Sequence, residues 1–138
     1  MNNISQAIER LRYNSLRADA VRREAFVSSI KSKTLIEDLS ITFDPATARG
    51  ILHNPLTGKK ALTHLSRLDD NGIRALVLSH PKCPKSLLLE YASNPNHLIR
   101  KAIAERPVLP KKVAKVLQKD SVTEIRELAT KTVLRPGN

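Results

Sequence analysis

Apolar residues along this chain fall in short clusters of helical spacing, and the clusters return at a fixed interval. Pro55, Pro81 and Pro107 are 26 residues apart, Arg74, Arg100 and Arg126 keep the same interval, and so do Lys33, Lys59, Lys85 and Lys111. A period of this length predicts stacked helical units, each burying its apolar face only against its neighbours. From Asp69 onward each unit reads as a turn (DDNG, NPNH, DSVT), then a short helix (IRALVLS, IRKAIAE, IRELATK). In the two units that go on, a Pro-x-x-Pro bend and a second helix follow, in PKCPKSLLLEYAS and PVLPKKVAKVLQK. The second proline of each bend fits the first helical position, where its missing N–H and fixed φ are tolerated. Val77, Ile103 and Ala129 form one aligned apolar row, and Leu65, Tyr91 and Leu117 another.

The first forty-three residues carry the pattern in weaker form. Ile4, Ala7, Ile8 and Leu11 predict a capping helix over 3–13, with a break near Asn14 and Ser15. Asp19 can cap a second helix whose Val21, Ala25 and Phe26 face the core, with Arg22 in register with Arg74 and Arg100. Lys33 to Ser40 then occupies the slots of Lys85 to Tyr91. The predicted fold class is all-α without sheet: a right-handed α-solenoid of about four to five helical-pair repeats. The first helix of each pair, about seven to nine residues, is expected to be α or partly 3-10. One domain over 1–134 is expected, with a degenerate part over 1–43 and clear repeats over 44–134; residues 135–138 form a disordered tail. The last unit lacks a covering second helix, and its open face allows a homodimer.

The stretch HPKCPKSLLLEYASNPNHLIRKAIAERP, with its turns at His80-Pro81 and Arg106-Pro107, Pro84 and Pro110, its Leu and Val rows and its Ile-Arg pairs, resembles the leucine-rich repeat variant family. More loosely it is similar to HEAT-like repeats such as those of alkylpurine DNA glycosylases. The resemblance covers residues 44–134 well and the first forty weakly, and it implies a right-handed stack of short paired helices. It implies fold far more than function. Some variant-repeat proteins carry an iron-sulfur cluster, which the lone Cys83 cannot hold; the absence of Trp and the scarcity of aromatics argue against base handling of the glycosylase kind.

Composition changes the picture chiefly through charge. The 138 residues carry 24 Lys and Arg against 13 Asp and Glu, a formal net charge of +11, and the excess is concentrated in residues 44–138. Polyanions are the first partner class to consider. A single cysteine excludes an internal disulfide and any multi-cysteine zinc site, and no apolar run resembles a signal peptide or a membrane span. A cytoplasmic protein without membrane contact is expected. No phosphate loop, nucleophile elbow, zinc motif or paired-carboxylate motif is present, so no enzyme, cofactor or small-molecule substrate is expected.

Two ladders remain. Arg74, Arg100 and Arg126 follow turns bearing Asp69, Asp70, Asn94 or Asp120, and are expected to bridge carboxylates and loop carbonyls between units. Lys33, Lys59, Lys85 and Lys111 fall in the first turn of the second helices, where positive charge opposes the helix dipole. Repeated placement against local electrostatics points to another use: contact with phosphates. Lys60, Lys112, Lys115 and Lys119 widen the stripe, the last three at i, i+3 and i+7, and Lys82, Lys101 and Arg106 flank it. The expected function is non-enzymatic nucleic-acid binding, with duplex DNA favoured over RNA; the alternative is a scaffold that binds an acidic protein.

Overall fold

The computed structural model describes residues 3–17 and 20–133, the backbone alone for 12–17 and 133. The expected cap at Asp19 and the expected tail over 135–138 lie outside the described residues. Ten α-helices and no strand are found among them: α1 (Asn3–Arg17), α2 (Ala20–Ser28), α3 (Lys33–Leu39), α4 (Pro45–His53), α5 (Lys59–Ser66), α6 (Asn71–Ser79), α7 (Lys85–Tyr91), α8 (His97–Ala104), α9 (Lys111–Leu117) and α10 (Thr123–Val133). The sequence period is written into the helix starts. α3, α5, α7 and α9 begin 26 residues apart, and so do α4, α6, α8 and α10.

Local chemistry explains those starts. Ser32 caps α3 by accepting from the Leu35 N–H, Asp44 caps α4 through the N–H groups of Ala46 and Thr47, and Asn96 caps α8 through that of Leu98. Pro84 and Pro110 stand one residue earlier than expected, at the N-cap, with extended backbones near φ −60° and ψ 140°. That leaves Lys85 and Lys111 as the first helical residues. All four helices of the α4 series are α throughout, not 3-10. The capped first turns of α4, α6 and α8, and the buried face of each helix, supply what eight to eleven residues lack alone.

The chain divides into two compact units, Met1–Ile73 and Arg74–Asn138. In the first, α2 packs on α4, and α3 on α1, α4 and α5. In the second, α7, α8 and α9 pack on one another, with α10 against α8 and α9. Core rows follow the register within each unit. Ile36 and Leu62 are buried in the first; Leu88 and Ala114, Ile99 and Ile125, and Tyr91 and Leu117 are buried in the second. Cys83 belongs to such a row, buried at the position that Leu109 fills one period later.

The N-terminal part departs from expectation in two ways. α1 runs unbroken through Asn14 and Ser15 to Arg17, since the modest helix propensity of Asn and Ser costs only a few tenths of a kcal/mol each in a helix interior. In α2 the buried residue is Val27, not the expected trio: Val21 is 75% exposed, Ala25 is exposed and Phe26 is half-buried. The cause lies in α4. A β-carbon at Gly50 would stand 2.6 Å from the Val27 β-carbon and 2.7 Å from the Glu24 carbonyl oxygen, so the two helices approach with backbone nearly touching backbone. This close seat sets α2 by its own contact, out of step with the 26-residue register.

Candidate nucleic-acid interface

The arginines and the lysines are used differently. Arg100 donates from Nε and Nη2 to the two carboxylate oxygens of Asp120, at 2.7 and 3.2 Å, and from Nη1 to the carbonyls of Asn94 and Pro95, at 2.8 and 3.1 Å. Its side chain is 12% exposed and that of Asp120 only 5%. Arg126 repeats half of this arrangement, donating from Nη1 to the Asp120 carbonyl at 2.6 Å and from Nη2 to the Thr123 hydroxyl. Arg74 lies over the Tyr91 ring, 5.6 Å from its centroid. In the first unit the corresponding bond falls to Arg23, whose Nε donates to Asp44 at 3.0 Å; the expected aligned residue was Arg22. The displacement agrees with the altered register of α2.

Asp120 and Asp44 show the electrostatic result. Burial alone would raise both carboxyls, but hydrogen bonds and charge from the arginines, with backbone or hydroxyl donors, hold them below the ordinary carboxylate value.

The lysines of the expected stripe are all exposed: Lys33, Lys59, Lys60, Lys85, Lys111, Lys112, Lys115 and Lys119. Lys60 approaches Glu37 at 3.7 Å. Among the described residues no carboxylate lies within ion-pair distance of the other seven. Each of Lys33, Lys59, Lys85 and Lys111 is the first residue of its helix, in a first turn with no acidic residue. Within the first unit the Lys33 side chain lies over Gly58, its Nζ 3.8 Å from where a β-carbon there would stand, beside the start of α5 at Lys59. Within the second, Lys85 and Lys111 line one hollow together with Arg106.

Other expected members fall elsewhere. α9 ends at Leu117, where Gln118 closes the last turn through the Ala114 and Val116 carbonyls, so Lys119 is not the third lysine of that helix face. It lines a separate hollow with Asn94, Arg100 and Asp120. Lys101 is engaged by Glu124 at 3.1 Å and Glu105 at 3.7 Å, and Glu124 chiefly raises its pKa.

The sequence reading missed a second set of structural donors, at the end of the α4-series helices. Asn54 donates from its amide nitrogen to the carbonyls of Val27, Ser28 and Ile30. One step further but one, Arg106 donates from Nη1 to the carbonyls of Leu78 and His80, at 2.6 and 2.9 Å. Both reach back to the preceding helix end and satisfy its open carbonyls. A polar residue of changing identity at one register position (Asn54, His80, Arg106) was the available signal.

The remaining chemistry is quiet. The His80 Nδ1 accepts from the Lys82 N–H at 3.0 Å, and burial first, then the charges of Lys82 and Arg106, lowers its pKa. His64 shares a 2.7 Å hydrogen bond with Ser40. Burial pushes the Cys83 thiol up to about 11 against the opposing charge of Arg106. No group of three or more His, Cys, Asp or Glu is arranged to hold a metal among the described residues, and no described helix is long and apolar enough to cross a membrane.

Comparison with family models, curated proteins and solved structures finds no match.

Proposed function

We propose that this protein binds nucleic acid without catalysing a reaction, contacting backbone phosphates through the lysines that open α3, α5, α7 and α9, and that duplex DNA is its preferred ligand. The observation that carries this reading is the division of labour among the cations. Arg23, Arg100 and Arg106 are engaged with carboxylates and carbonyls inside the fold, whereas seven exposed lysines have no carboxylate partner among the described residues. Four of these stand at helix starts where their charge is locally unfavourable, which a merely solubilising lysine has no reason to prefer. With few aromatics to stack on bases, recognition is through phosphates and weak in sequence preference. The regular helix starts support a right-handed repeat stack of about four to five units, in the manner of leucine-rich repeat variant or HEAT-like proteins.

Fluorescence anisotropy with a labelled 20-base-pair duplex tests the proposal. If about five phosphates are neutralised, log K falls against log salt with a slope of roughly −4 to −5. Simultaneous charge reversal at Lys59, Lys85 and Lys111 should abolish binding at moderate salt without lowering the melting temperature. A flat salt response, or an unchanged affinity after reversal, would overturn it.

One feature favours a second reading, a protein partner, for which the net charge of +11 suggests an acidic surface. Ile41 and Phe43 are 72% and 94% exposed, and with His64, Arg67 and Leu68 they line a hollow of about 330 Å³ in the first unit. Copurification of a stoichiometric acidic protein in place of nuclease-sensitive absorbance at 260 nm would favour that reading.

A further inference from the structure

Within the second unit a hollow of about 370 Å³ lies between the starts of α7 and α9. Lys85, Arg106 and Lys111 line it, Leu88, Val108 and Leu109 form apolar wall, and no Asp or Glu contributes. Three cations without a carboxylate make a positive, half-open hollow, and the apolar wall on one side strengthens their field relative to a flat, fully solvated surface. The charge comes from side chains. Arg106 is the fixed member: Nη1 is tied to the Leu78 and His80 carbonyls, and its Nε is buried without an acceptor. Lys85 and Lys111 are exposed and can swing over the opening.

We propose that this hollow is a seat for one sugar-phosphate unit, a deoxyribose 5-phosphate group either free or within a nucleic-acid strand. The phosphate is held by Lys85 and Lys111 against the positive wall of Arg106, and the sugar lies on Val108 and Leu109. This deepens the function proposed above and rests on that reading for its biological ligand. The volume falls at the small end of ligand sites, larger than a bare phosphate requires. No aromatic residue lines the hollow, so the base contributes little and all four bases are accepted alike.

The test is an amide chemical-shift titration of the full chain at low salt with inorganic phosphate, deoxyribose 5-phosphate and the four deoxynucleoside monophosphates. Duplex anisotropy is measured in parallel on wild type and on the double variant Lys85→Gln, Lys111→Gln. Both lysines are exposed, so the variant should melt like wild type. Arg106 is left intact because it also staples the fold.

The expected result is that the sugar phosphate shifts amides around 83–88 and 106–111 and binds more tightly than inorganic phosphate. The four monophosphates should agree within about twofold. The double variant should weaken these ligands at least tenfold and reduce the duplex salt slope by about two. Shifts spread equally over Lys112, Lys115 and Lys119, or unchanged binding in the double variant, would overturn the seat. If the duplex then still bound wild type with a steep salt slope, nucleic-acid binding would stand and only the seat would fall. Sugar phosphate bound in the hollow with no duplex binding would support the seat and refute nucleic acid as the ligand.

Discussion

Replacing Arg100 by alanine separates the structural cations from the ligand-binding ones. The substitution removes two charge-assisted bonds to Asp120 and two bonds to the carbonyls of Asn94 and Pro95. Asp120, whose side chain is only 5% exposed, is left with the Val122 N–H at 2.9 Å and the neighbouring charge of Arg126. Breaking a buried pair from one side costs about 3 to 5 kcal/mol, chiefly because the remaining charge is stranded. Arg100 is not fully closed off and Asp120 keeps some support, so a loss of about 2 to 4 kcal/mol is expected. For a chain of this size that corresponds to a fall in melting temperature of about 10 °C. The assay is thermal denaturation followed by circular dichroism, with duplex affinity measured well below the transition. Arg100→Lys keeps the charge but not the fork, and should recover less than half of the loss. A melting temperature within about 1 °C of wild type, combined with a binding defect like that of the exposed lysines, would refute the structural assignment.

Three further outcomes follow from other parts of the structure. Gly50→Ala should destabilise by about 1 to 2 kcal/mol in urea titrations, because overpacking against Val27 and the Glu24 backbone outweighs about 1 kcal/mol of gained helix propensity; at Gly72 the same change meets only the Asp70 carboxylate at 3.2 Å and should be near neutral. Acid should destabilise in two windows. His80 binds a proton less readily folded than unfolded, so its contribution is full above pH about 6.5 and declines as pH falls towards its lowered folded value. Asp44 and Asp120 likewise contribute fully above pH about 3.8 and lose that contribution as pH falls through their lowered folded values. Melting curves across pH 8 to 2 should lose the first window in His80→Gln and show a reduced second window in Asp120→Asn, with the Asp44 share remaining. The Cys83 thiol, at about 11, should react with iodoacetamide at pH 8 far more slowly in the folded protein than in urea; equal rates would place it outside the core.

How much of this was legible depended on whether the period carried it. The 26-residue spacing of α3 to α10 follows from the repeated Lys, Pro and Asp or Asn positions, with individual starts displaced by one or two residues from expectation, because caps are chosen by local chemistry that sequence records directly while the exact first helical residue is not. The register of α2 was not legible, because it is set by a contact between α2 and α4 that only Gly50 permits, and a glycine within a helix reads simply as a weak helix former. Lys119 was misplaced by extending a helical spacing two residues past the end of α9. The staples at Asn54 and Arg106 escaped because their identity changes while their task persists. Of the interface, the exposure of the lysines could be expected from their charge; the shared hollow with Arg106 could not, since it depends on the bonds from its guanidinium to the Leu78 and His80 carbonyls, 28 and 26 residues earlier in the chain.

The shortness of the helices has a consequence for how the chain is made. α3, α7 and α9 each have seven residues, two turns of helix, too few to hold in water by their own hydrogen bonds. A nascent segment leaving the ribosome therefore gains little until the segment that covers it has also emerged, about one period later. A pause in synthesis between α7 and α8 would leave Leu87, Leu88 and Tyr91 of α7 without the two following helices that pack on it, α8 and α9. The same interval that spaces the lysines thus also sets the length of chain the cell must shelter at any moment.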